Sequence, residues 1–136
     1  MRTLKVLAIL LTVMLSACSQ PAETPQTQAV AIENDYIRLM DDLTALMSAN
    51  DPDPAKTLEN IRKYVTDSRE AASGMLNKLN QEFLNMTPEE RENWRRSAKP
   101  RTEAALERYA NAQMLLHQRL NDAQKWELGE ILGLLR

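Results

Sequence analysis

The polar and apolar positions of this chain repeat with a helical period over most of its length. Ile32, Tyr36, Leu39, Leu43 and Leu46 follow one another at four, three, four and three residues. That spacing predicts an amphipathic helix over residues 30–49, with Met40 and Met47 widening its apolar stripe and Glu33, Asp35, Asp41 and Asp42 on other faces. Asn50-Asp51-Pro52-Asp53-Pro54 interrupts it, and Asp53 before Pro54 supplies a cap and a first helical residue for the next element. A second stripe, Leu58, Ile61, Val65, Ser68, Ala72, Met75, Leu79 and Phe83, predicts a long helix over 54–85. Its middle is built of small residues from Ser68 to Gly74, so a kink there is the alternative to one continuous helix.

The second half continues the pattern. Thr87-Pro88-Glu89-Glu90 reads as a capping box, with Thr87 at the cap and Glu90 three residues on. The helix it starts is expected to break at Lys99-Pro100, because proline disfavours helical geometry in the residue before it. Thr102 then caps a further helix to Leu120, with Leu106, Tyr109, Ala112, Leu116 and Leu120 turned inward. Asn121 and Gln124 repeat the capping pattern before a last helix carrying Trp126, Leu128, Ile131, Leu132 and Leu135. Good helix formers dominate and β-branched runs are missing, so the expected fold is all-α, a small antiparallel bundle of four to five helices.

The N-terminus departs from this pattern. Arg2 and Lys5 precede an apolar run, Val6 to Leu15, that is about ten residues long, half of what a bilayer span needs. Leu15-Ser16-Ala17-Cys18 closes it, and Cys18 is the only cysteine. This arrangement resembles the lipobox of bacterial lipoproteins. The resemblance implies cleavage before Cys18, a thioether-linked diacylglycerol on its sulfur and acylation of the new amine. Two or more chains anchor stably where one does not, at ~0.8 kcal/mol per buried methylene. The expected organisation is therefore a signal peptide over 1–17, lipidated Cys18 and a flexible tether over 18–28, and a helical domain over 29–136. Ser19 stands where the enteric inner-membrane retention signal has aspartate, so the resemblance implies the outer membrane, facing the periplasm.

Removing residues 1–17 from the 136 leaves 119, enough for one core. The signal takes two of the 17 basic side chains and none of the 19 acidic ones, so the mature chain has a net charge near −4, against general nucleic-acid binding. With Cys18 acylated no disulfide can form, and packing must supply stability. His117 is the single histidine, and Met40, Met47, Met75, Met86 and Met114 are scattered over helix stripes, so neither metal nor cofactor is expected. Asp41-Asp42 and Glu89-Glu90 are adjacent on helices and point to different faces, and no phosphate loop or nucleophile elbow is present, so no catalytic residue is assigned. One local charge asymmetry stands out: Arg91, Arg95, Arg96, Lys99 and Arg101 surround Trp94. Trp94, Arg95, Arg96, Lys99 and Arg101 form the candidate interaction patch. The competing reading pairs Glu92 with Arg96 and tucks Trp94 into the core.

Met86-Thr87-Pro88-Glu89-Glu90 and Leu120-Asn121-Asp122-Ala123-Gln124-Lys125 resemble degenerate forms of the paired LTxxQ motifs of CpxP/Spy-like periplasmic proteins, with Asn121 in place of threonine and Glu90 in place of the second glutamine. That resemblance implies a helical holding chaperone or stress adaptor that works as a curved dimer. Pilotin-type assembly lipoproteins are a second comparison, without their cysteine pair. The expectation from the sequence is a non-catalytic, lipid-anchored helical interaction protein of the cell envelope, its partner another envelope protein. The expected state is a closed monomer, with Trp94 or Trp126 docked on the Ser68–Gly74 segment. Without such docking an apolar groove would remain, and a dimer becomes possible.

Overall fold

The structure is a computed structural model that describes residues 22–135; Cys18, the expected signal and most of the expected tether lie outside the described residues. Four helices fill the described chain: α1 (Pro25–Ser48), α2 (Pro54–Asn85), α3 (Pro88–Arg119) and α4 (Asp122–Gly133). Each begins on a side-chain cap. Thr24, Thr87 and Asn121 accept from the backbone N–H three residues on, and Asp53 from that of Ala55, so N–H groups that α-helices leave unpaired at their starts are satisfied.

Two boundaries differ from expectation. The tether expected to reach Gln28 stops earlier, because Thr24 and Thr27 form a reciprocal capping box and Pro25 occupies the first helical position, where a missing N–H costs nothing. The break expected at Lys99-Pro100 does not occur: α3 runs through Pro100, and Thr102 lies inside it instead of capping a further helix. Proline in a helix interior costs about 3 kcal/mol, and packing on both sides of it offsets that cost. Ala98, Ala105 and Ala112 are buried at seven-residue intervals, and their small side chains let α3 lie close to α1. α2 is continuous through Gly74.

α1 is the centre of the bundle. It packs against both α2 and α3, and α4 returns along α2. Cross-links between α1 and α3 keep a nearly constant offset in sequence: Glu33 with Thr102, Asn34 with Arg101, Asp41 with Arg108. The two helices are therefore parallel, with α2 antiparallel between them in the chain. Arg108 donates to Asp41 Oδ1 at 2.7 and 3.1 Å. Arg62 of α2 meets Glu127 of α4 at 2.5 Å. The result is an all-α, up-down-up-down bundle.

The core is fully closed where all four helices overlap. Leu43, Met47, Leu58, Ile61, Val65, Leu116, Leu128 and Ile131 are buried there. Burying each such side chain contributes roughly 1.5–3 kcal/mol. Trp126 is 74% exposed. Neither tryptophan docks on Ser68–Gly74; Trp94 instead packs edge-on against Phe83, centroids 5.9 Å apart at 67°.

Candidate functional site

α2 and α3 are each 32 residues long, whereas α4 has 12. At 1.5 Å per residue these are about 48 Å against about 18 Å. Beyond the end of α4 the bundle has three helices, and the apolar faces of α2 and α3 flank an uncovered floor made by α1. Two cavities lie along this groove. The first, about 430 Å³, is lined by Tyr36, Leu39 and Met40 of α1, Ala72, Met75 and Leu76 of α2, Leu106 and Tyr109 of α3, and Leu132 and Leu135 at the end of α4. The second, about 230 Å³, is lined by Ile32, Glu33, Tyr36, Met75, Leu76, Leu79, Trp94 and Thr102. Tyr36, Met75 and Leu76 belong to both, so the cavities join into one trough. Its rims carry Leu76, 62% exposed, and Leu106, 40% exposed.

Two polar groups line the inner end of this apolar trough. Glu33 is only 3% exposed. Its Oε1 accepts from Thr102 Oγ1 at 3.3 Å and lies 4.0 Å from Arg101 Nε, while its Oε2 is buried without a hydrogen-bond partner in the chain. Trp94 Nε1–H is likewise buried and unpartnered. Buried polar atoms normally find partners; among the described residues three side-chain atoms do not, these two and Thr57 Oγ1 in the closed core, and the first two belong to residues that line the same cavity.

The basic segment is dispersed by the fold. Arg95 and Arg96 both pair with Glu92, at 3.2 and 3.1 Å, and Lys99 with Glu103 at 3.8 Å. Arg101 turns towards α1, to Asn34 and Glu33. Arg91 donates to the carbonyls of Phe83 and Leu84 and lies over the Phe83 ring, closing the turn between α2 and α3. Trp94 faces the trough, so it does not share one surface with Arg96 and Arg101. Among the described residues no group of three His, Cys, Asp or Glu is placed to hold a metal ion, and no helix is long and apolar enough to cross a membrane.

Sequence reasoning missed Glu33, which it set on a polar face. A signal was present: Glu33, Met40 and Met47 are seven residues apart, and both methionines are core residues. The exposure of Leu106 was missed because its spacing matches the buried stripe; only the shortness of α4 leaves it uncovered.

Away from the trough, Tyr64 Oη donates to Asp42 Oδ2 at 2.8 Å. Burial, and then this bond, push the phenol up to about 12. Asp51, in the turn before α2, is held below the ordinary carboxylate value first by the Asp53 backbone N–H and then by Lys56 and Arg119.

The geometry defines a class: a helical bundle with an open apolar trough and a buried acceptor and donor in its lining. Comparison with protein-family models, with curated proteins and with solved structures finds no match to this chain.

Proposed function

We propose that this chain is a lipid-anchored, non-catalytic interaction module of the bacterial cell envelope, and that the trough beside α4 is its working surface. The observation that carries the reading is the trough itself: exposed Leu76 and Leu106 rim a joined pair of apolar cavities where the fourth helix stops short. Contiguous exposed apolar surface of this kind marks a binding site. The lipobox-like Leu15–Cys18 supports a lipid anchor at a membrane, and Ser19 after Cys18 supports the outer one.

The test has two arms. Metabolic labelling with a fatty-acid analogue should mark the wild type and not Cys18→Ser; equal labelling would remove the anchor from the reading. Crosslinking in intact cells, then purification from detergent-solubilised membranes, should recover one envelope protein with the wild type and lose it with Leu76→Glu. A CpxP/Spy-like holding chaperone is the second reading, favoured by the same exposed leucines. It requires instead that the protein suppress aggregation of an unfolded client without a stable partner.

A further inference from the structure

Trp126 is the most exposed large apolar side chain among the described residues. It stands on the outer face of α4, away from Leu128 and Ile131, which belong to the core. Gly129 and Gly133 follow it on that face. Glycine weakens a helix relative to alanine, and the fold of the single chain asks for neither. Among the described residues no glycine has a positive φ, so Gly133 at the end of α4 is not a left-handed cap. A Cβ added at Gly129 or Gly133 would meet nothing within 4 Å. Beside them is an open depression of about 330 Å³ lined by Lys125, Trp126, Gly129 and Glu130. We infer that α4 pairs with α4 of a second copy of this chain. The two helices run parallel, the Trp126 rings meet at the two-fold axis, and the glycines admit the other backbone.

Charge selects the second copy as the occupant and sets its direction. In heptad terms Trp126 and Gly133 take the a positions, Gly129 the d position between them, Lys125 the preceding g and Glu130 the following e. In a parallel pair the g residue of one helix meets the e residue of the other, so Lys125 faces Glu130 of the other copy on each side of the axis. An antiparallel pair would set Lys125 against Lys125 and Glu130 against Glu130. Both charges are available. Glu130 has no ion-pair partner among the described residues, and Lys125 holds only the fully exposed Asp122, at 3.3 Å, a pairing worth little in water. Asp122, at the d position before Trp126, is the one like-charge contact; the two rings hold that end of the helices apart, and the glycines let the other end close. On the anchored reading, on which the orientation rests, parallel pairing also keeps both α1 starts, and so both Cys18 anchors, at one end. It sets the two troughs side by side there, since each begins at Ile32, two turns into α1. A seam of 12 residues is short, so the pair forms where anchoring holds the copies on one surface at high effective concentration.

The test is disulfide crosslinking of the full chain in cells. Cys18 is the only native cysteine, and once acylated it cannot crosslink, so an added thiol reports alone. Gly133→Cys lies on the proposed axis and should give a covalent dimer in an oxidising periplasm. Ala104→Cys, exposed on α3, should not. Trp126→Ala should remove the dimer and leave Tm unchanged, because the ring lies outside the core of its own chain. Lys125→Glu and Glu130→Lys should each cut the crosslink yield about tenfold, and the two together should restore it. Absence of the Gly133→Cys dimer, or a dimer indifferent to Trp126→Ala or to both charge reversals, would overturn the inference. So would loss of membrane association in Trp126→Ala with the crosslink intact, since the ring would then seat on the bilayer. A chain that takes no acyl label but crosslinks at position 133 and obeys the charge exchange keeps the pair and removes the anchor. An acylated chain that does not crosslink keeps the anchor and removes the pair.

Discussion

Glu33→Met should make the protein more stable, although it deletes a charged residue with two recorded partners. Glu33 is 3% exposed on the central helix, and both contacts go to Oε1. The Thr102 bond is long, at 3.3 Å, and is worth about 1 kcal/mol. Arg101 is 4.0 Å away with its side chain about half exposed, so that pair contributes roughly 0–1 kcal/mol after solvent screening. Neither partner is stranded by the change. Thr102 can turn its hydroxyl to the carbonyl four residues back, and Arg101 keeps Asn34. Against these losses stands a buried carboxylate oxygen with no partner in the chain. Removing it recovers about 1–3 kcal/mol. Methionine keeps the length of the side chain and packs with its heptad neighbour Met40. With Thr102 and Arg101 re-partnered, the net gain should be about 1 kcal/mol, a rise in Tm of roughly 4 °C. Urea and thermal melts of residues 22–136 measure it, with Leu43→Ala as the opposite control at about 2–5 kcal/mol of loss. A lower midpoint for Glu33→Met would refute the reasoning. It would show that the carboxylate holds the bundle together.

Four further outcomes follow from the same structure. Pro100→Ala should stabilise by about 1–3 kcal/mol, because the residue is exposed inside an unbroken helix and alanine restores a backbone donor; a loss of stability would show that α3 needs the local distortion. Thr87→Ala and Asn121→Ala should each cost about 1 kcal/mol in urea melts, and unchanged midpoints would remove their capping roles. Stability should fall as pH rises from 10.0 towards about 12, where folded Tyr64 keeps a proton that the unfolded chain has lost. Tyr64→Phe should flatten that alkaline decline, read from Tm against pH. Amide hydrogens of α1 residues 25–32 should exchange faster than those of residues 40–47, which carry the buried Met40, Leu43 and Met47; uniform protection would contradict the two-part core.

The long helix was legible because its stripe is almost uninterrupted: Leu58, Ile61, Val65 and Ala72 are buried in the order their spacing implies. The caps at Asp53, Thr87 and Asn121 were legible for a local reason, since a cap is written in three or four adjacent residues. Pro100 misled because the energy that carries α3 past it comes from alanines meeting α1, a helix far away in sequence. Thr24 misled in the opposite sense, its capping partner being another threonine in a polar, proline-bearing stretch. For the basic segment, the pairing of Glu92 with Arg96 was readable from the i,i+4 spacing, whereas the turn of Arg101 towards Asn34 depends on the parallel register of α1 and α3. Glu33 escaped because it is one acidic residue among several on α1, and only a helix packed on two sides buries so wide a face.

The division between the two ends of the bundle ties these points together. Where α4 covers α2, the chain spends leucine, isoleucine and methionine on a closed core: Met47, Leu58, Ile61, Leu116, Leu128 and Ile131 are all nearly inaccessible. Past the end of α4, equally apolar residues, Ile32, Met75, Leu76 and Leu79, line a trough instead. The first set suffices to hold three long helices in register, so the second is free of that duty. It is also where the chain tolerates an orphan carboxylate and an orphan indole N–H. A fourth helix of full length would close the trough. On the proposed reading, the shortness of α4 is what separates a stable end from a receptive one.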